Sequence, residues 1–186
     1  MLSKEYITDL KFKKNGEIAN LVRNQYDVGS LIFILESLGH LPIGFNADFL
    51  YDLLQHQHTN VRFYAVKNIA KLNGKSDTKK LVELYRQESD TSVRREIVSA
   101  IGRQRNITNK SLLFSFLNDK DPKIVCQAIR GLLVFENDKD VEEHLKPLVN
   151  HPNEMVRTVI YKEFFAKENQ TANVLPHTET YEFLKN

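Results

Sequence analysis

The chain has 186 residues, 41% of them hydrophobic, and a formal net charge of +2. That is enough apolar material for one domain with a real core, and too little net charge to name a partner by itself. One cysteine excludes a disulfide framework, and seven Gly and five Pro are too few for a fibrous or disordered protein.

The opening Met-Leu-Ser-Lys-Glu-Tyr lacks the basic-then-apolar pattern of a signal peptide. The longest apolar run, Leu31 to Leu35, falls far short of the ~18 residues of a membrane span. A cytoplasmic protein with no membrane partner is expected.

In chain order, residues before about 17 show no periodic pattern. Between Ile18 and Leu38, the residues Leu31, Ile32, Leu35 and Leu38 recur at helical spacing and predict a degenerate first unit. Four fuller units follow, each opening with a short helix A. Its apolar positions are Phe49/Leu50 with Leu53/Leu54, then Leu81/Val82 with Tyr85. The third and fourth units carry Leu112/Leu113 with Phe116/Leu117, and Leu145 with Leu148/Val149. A polar turn ends each helix A, and His58, Asp90, Asp121 and Asn153 fall where the next helix needs an N-cap. Pro122 fits the first helical position.

Helix B of each unit is anchored at Val61, Val93, Ile124 and Val156, which lie 32, 31 and 32 residues apart. Four, five and eight residues past the anchor stand Ala65/Val66/Ile69, Ile97/Val98/Ile101, Ala128/Ile129/Leu132 and Ile160/Tyr161/Phe164. Apolar residues at 0, +4, +5 and +8 describe one face of an amphipathic helix. The expected fold is all-α, an α-α superhelix of about four clear repeats plus the degenerate N-terminal unit. It should occupy residues 1–167, with 168–186 a C-terminal tail or linker. Cys126, inside an apolar helical run, reads as a small core or half-buried residue rather than a nucleophile.

The stretch Asp119 to Ile124, with Val-Arg at the anchor of three of the four units, resembles the HEAT repeat family over roughly residues 45 to 166. The resemblance implies that Arg62, Arg94 and Arg157, all at +1, bridge to the inter-helix turn of an adjacent repeat. Departures are Val125 where the family has Arg, and His56 and His58 where it has acidic residues. His56 and His58 have metal-ligand spacing, but they fall at −5 and −3, where Glu88/Asp90 and Asp119/Asp121 fall in later units. With no third ligand in local reach, turn residues are the better account, and no metal is expected. No Gly-rich phosphate loop, nucleophile elbow or Cys-x-x-Cys occurs, so no cofactor and no catalytic residue are expected.

The far side of helix B carries the more informative chemistry. Position +6 holds Lys67, Ser99, Arg130 and Lys162; position +10 holds Lys71 and Arg103; position +2 includes Arg95. At 100° per residue these point away from the core. Together with Arg105, they predict a basic stripe on the face lined by stacked B helices. Acidic residues are expected in the turns and on helix A. Helix-dipole pairing explains the +10 cations well and the +6 cations less well.

The segments Asn15–Tyr26, Leu35–Gly39, Arg94–Arg105 and Ile124–Phe135 are also similar to the N-terminal helical region of some bacterial site-specific DNA methyltransferases. That resemblance implies a DNA-facing accessory module within an S-adenosylmethionine-dependent parent. The family's Pro-Pro-Tyr-type motif and cofactor-binding glycines are missing, so no catalytic residue is carried over. Two other readings compete. One is a scaffold gripping an acidic protein segment. The other is a helical-repeat alkylpurine DNA glycosylase, which the total lack of Trp opposes.

Overall fold

A computed structural model describes residues 2–13, 16–72, 76–135 and 137–165; the expected tail at 168–186 lies outside them. All regular structure among the described residues is helical. The N-terminal unit comprises α1 (Lys4–Phe12), α2 (Glu17–Arg23) and α3 (Val28–Ser37). The four repeats are α4 (Asp48–Asp52) with α5 (Thr59–Ile69), α6 (Thr78–Gln87) with α7 (Thr91–Arg103), α8 (Lys110–Phe116) with α9 (Pro122–Leu132), and α10 (Lys139–Leu145) with α11 (Glu154–Ile160). Tyr161–Phe165 extends α11 as a single π turn.

The caps explain why each B helix starts where it does. Asp90 accepts the Ser92 and Val93 N–H groups at 2.9 and 3.2 Å, Asp121 that of Lys123 at 2.9 Å, and Asn153 that of Met155 at 2.9 Å. His58 makes no such bond, so α5 starts without a side-chain cap. The anchors Val61, Val93, Ile124 and Val156 are all 0% exposed, as are Ile69, Ile101 and Leu132.

Each B helix packs on the next, from α3 through α5, α7 and α9 to α11, whereas the A helices α4, α6 and α8 pack mainly on their own B helix. The layer whose successive members meet directly has the shorter path, so helices B form the concave side. The closest approach is between α7 and α9. A Cβ added to Gly102 would stand 2.8 Å from the Gly131 Cα, so the absence of a side chain lets the two backbones touch.

Two features were not legible in the repeat pattern. Residues before 17 fold as α1, whose Ile7 and Leu10 are buried against the first unit. Lys11 on the same helix donates to the Leu38 carbonyl at 2.8 Å. Cys126, at +2, is 2% exposed, so that position does not face outward in the third repeat.

Buried Asn68 ties the N-terminal unit to the array by donating to the Leu35 carbonyl of α3 and to the Tyr64 carbonyl, both at 2.8 Å. Asn68→Ala is expected to cost about 1–3 kcal/mol, because a buried acceptor loses its donor. Hydrogen exchange should show the loss concentrated in α1–α3. Uniform loss along the chain would mean that this bond does not set the docking of the unit.

Candidate functional site

The inter-helix turns form a periodic clamp on one edge of the array. At position −5 a side chain always accepts the backbone N–H of position −3. His56 Nδ1 takes that of His58 at 3.0 Å, Glu88 Oε1 that of Asp90 at 2.9 Å, Asp119 Oδ1 that of Asp121 at 2.8 Å, and His151 Nδ1 that of Asn153 at 3.1 Å. Where the residue is acidic it also receives the +1 arginine of the preceding repeat. Arg62 meets Glu88 through Nε at 2.6 Å and Nη2 at 2.8 Å, and donates to the His56 and Gln57 carbonyls.

Arg94 donates to Asp119 at 2.8 Å and to the Tyr85 hydroxyl at 2.9 Å, and Tyr85 itself donates to Asp119. Burial, and then the bond to Asp119, push the Tyr85 hydroxyl up to about 12, so it stays a donor at neutral pH. Val125 supplies no such donor, and the following −5 residue is His151 rather than an acid. The histidines thus stand where the preceding unit supplies no arginine, and they do the work of turn acceptors. Arg157, in the last repeat, is satisfied by the His151 and Pro152 carbonyls of its own turn at 2.7 and 2.9 Å.

The concave face carries the chemistry that could meet a partner. Arg103, Arg105 and Arg130, all exposed, line one groove of ≈ 420 Å³ over the Gly102/Gly131 contact, with Ala70 and Val134 as its apolar parts. Lys67 and Lys71 line a smaller cavity of ≈ 200 Å³ with Tyr64 and Asn68. Arg95 on α7 and Lys162 in the π turn line neither. The Lys67 ammonium lies over the Tyr64 and Phe63 rings, 5.5 and 5.9 Å from their centroids. Lys71 donates to Asn68 Oδ1 at 2.8 Å. Burial, and then the charges of Lys67, Lys11 and Arg103, hold Lys71 below the ordinary lysine value.

Two carboxylates that the sequence reading did not place on this face change its balance. Arg103 pairs with Glu96 of its own helix, and Arg130 Nε donates to Glu163 at 2.9 Å. Glu96 lies seven residues before Arg103 and faces the same way on α7. The stripe is therefore partly neutralised from within. Among the described residues Lys67, Arg95, Arg105 and Lys162 make no ion pair.

A family model for HEAT repeats matches residues 78–163. The matched stretch, which is similar to HEAT repeats, contains the anchors Val93, Ile124 and Val156. The whole array has the same fold as two solved structures. An engineered protein superposes with a TM-score of 0.55 at 14% identity, covering 90% of this chain and 85% of its own. A designed armadillo repeat protein, solved in complex with the peptide (KR)4, gives a TM-score of 0.53 at 17% identity, covering 88% and 86%. No curated protein matches the sequence. No described helix is long and apolar enough to cross a membrane.

Proposed function

We propose that this chain is a binding module whose concave face lies along duplex DNA, as the accessory part of a cytoplasmic, DNA-modifying protein of the methyltransferase kind. The repeat domain is taken as residues 1–167, with 168–186 leading toward the rest of such a parent. The observation that carries the reading is that Lys67, Arg105 and Lys162, in the first, second and fourth repeats, make no ion pair among the described residues, and that Lys67 and Arg105 line grooves where the B helices stack. Cations repeated at the interval of packed helices, roughly 8–10 Å, suit a polymer whose charge is uniform along its length. Lys71, Arg95, Arg103 and Arg130 would add to the same field.

A second reading, an acidic protein segment, is supported by the designed armadillo protein of the same fold that holds a peptide. That peptide is basic, so the sense of charge would be reversed here.

Fluorescence anisotropy with labelled duplex DNA distinguishes the two. With Lys67, Arg105 and Lys162 on phosphates, log K should fall against log salt with a slope of roughly −3. A polyglutamate competitor should displace the duplex poorly. Tight binding of polyglutamate with no binding of duplex would reject the DNA reading in favour of the acidic segment.

A further inference from the structure

We propose that Arg105 is the residue that grips a backbone phosphate in the central groove, and that the fold accepts strain to hold it there. The inference rests on the DNA reading above and adds which cation does the gripping. Arg105 has a φ of +49°, the one non-glycine residue among those described in the left-handed region. It lies two residues past the end of α7, and its N–H closes the helix on the Gly102 carbonyl at 3.1 Å. That position is ordinarily filled by glycine, because a Cβ in this conformation crowds the carbonyl oxygen.

The conformation is fixed by its neighbours. Gln104 Oε1 accepts from Thr78 and Asn109, each at 2.8 Å, and Asn106 caps the following turn. Nothing about packing asks for arginine here, since Arg105 is exposed and makes no ion pair among the described residues. Its groove neighbours are engaged, Arg103 with Glu96 and Arg130 with Glu163. Arg105 is thus the guanidinium in this groove whose whole donor fork is open. Its planar geometry matches two oxygens of one phosphate. Strain retained at an exposed, unpaired residue is the mark of a position kept for what it binds.

The test uses the full chain and labelled duplex DNA. Arg105→Gly should leave Tm unchanged or raise it by about 2–4 °C, since glycine relieves the backbone. The same variant should weaken duplex binding roughly tenfold and lower the salt slope by about one unit. Arg105→Lys should keep most of the slope while losing affinity, because charge remains and the fork does not. Unchanged affinity and slope in Arg105→Gly would overturn the proposal while leaving the DNA reading intact. A clear fall in its Tm would also overturn it, by giving Arg105 a structural role. If the unaltered chain binds no duplex, both readings fail together.

Discussion

Glu88→Ala is expected to destabilise the chain by about 3–5 kcal/mol, the usual penalty for removing one partner of a buried ion pair. The Glu88 side chain is 1% exposed and that of Arg62 15%, so neither can exchange its partner for bulk water. The variant also strands the Asp90 N–H, which Glu88 accepts at 2.9 Å. Because stability in such arrays is a sum of repeat and interface terms, the loss falls on the junction of the first two repeats. Chemical denaturation should separate into two steps, with α1–α5 unfolding first. A loss under about 1 kcal/mol would mean that the two turn carbonyls alone hold Arg62.

The same pair predicts a pH dependence of definite sign. Burial pushes the Glu88 carboxyl up, but its bonds from Arg62 and the Asp90 N–H outweigh this and hold it below the ordinary glutamate value of 4.5. A carboxylate that binds its proton less readily when folded stabilises the fold fully above that ordinary value. The contribution is lost as pH falls below it. The stability gap between the unaltered chain and Glu88→Ala should accordingly be flat at neutral pH and narrow in acid.

The second large effect is on binding. Arg130→Glu combined with Lys162→Glu should abolish duplex binding. Lys162→Glu removes one released counterion, Arg130→Glu leaves Glu163 without its partner, and each change adds a like charge facing the phosphates. Neutralisation of the same two residues to Gln should lower the salt slope by about one unit, from Lys162, and weaken binding further through the uncompensated Glu163. Helicity should be unchanged. The Arg130–Glu163 pair has side chains 44% and 35% exposed, and a pair of that kind contributes about 0–1 kcal/mol. Lys79→Glu on exposed helix α6 is the control, because it lies on the A layer away from the groove. Equal loss from both sets would point to a diffuse charge effect, and no loss from either would remove DNA as the partner.

The balance of the concave face also bears on selectivity. Glu96 and Glu163 occupy two arginines that a polyanion would otherwise take directly. A weak or short anion must compete with them, whereas a polymer meeting Lys67, Arg105 and Lys162 at once need not. This is why the unpaired cations, rather than the number of basic residues, carry the functional reading.

What the sequence determined by itself was the repeat and everything tied to its period. A helix B must turn one face to its neighbours, so apolar residues recur at 0, +4, +5 and +8 from Val61, Val93, Ile124 and Val156. Those positions are buried because no other helical register hides them, except Tyr161 at +5 of the last unit, which is 57% exposed where no further repeat covers it among the described residues. Polar capping residues mark the turns for an equally local reason, since the first N–H groups of a helix need acceptors within a few residues. The bridging of the +1 arginines to the next turn was implied by the family resemblance, and it holds for Arg62 and Arg94 but not for Arg157, which bonds its own turn.

What only the tertiary structure decided were contacts that depend on how closely and at what angle helices cross. The docking of α1 and the bond from Asn68 to the Leu35 carbonyl follow from packing between units, which no spacing within one unit encodes. The pairing of Arg130 with Glu163 spans α9 and the turn that extends α11, and so depends on how those two helices pack. The left-handed backbone at Arg105 is likewise invisible in the sequence, where an arginine gives no sign of a glycine's conformation. The period fixes which face a residue takes; whether its charge stays free depends on what the neighbouring helix brings within about 3 Å of it.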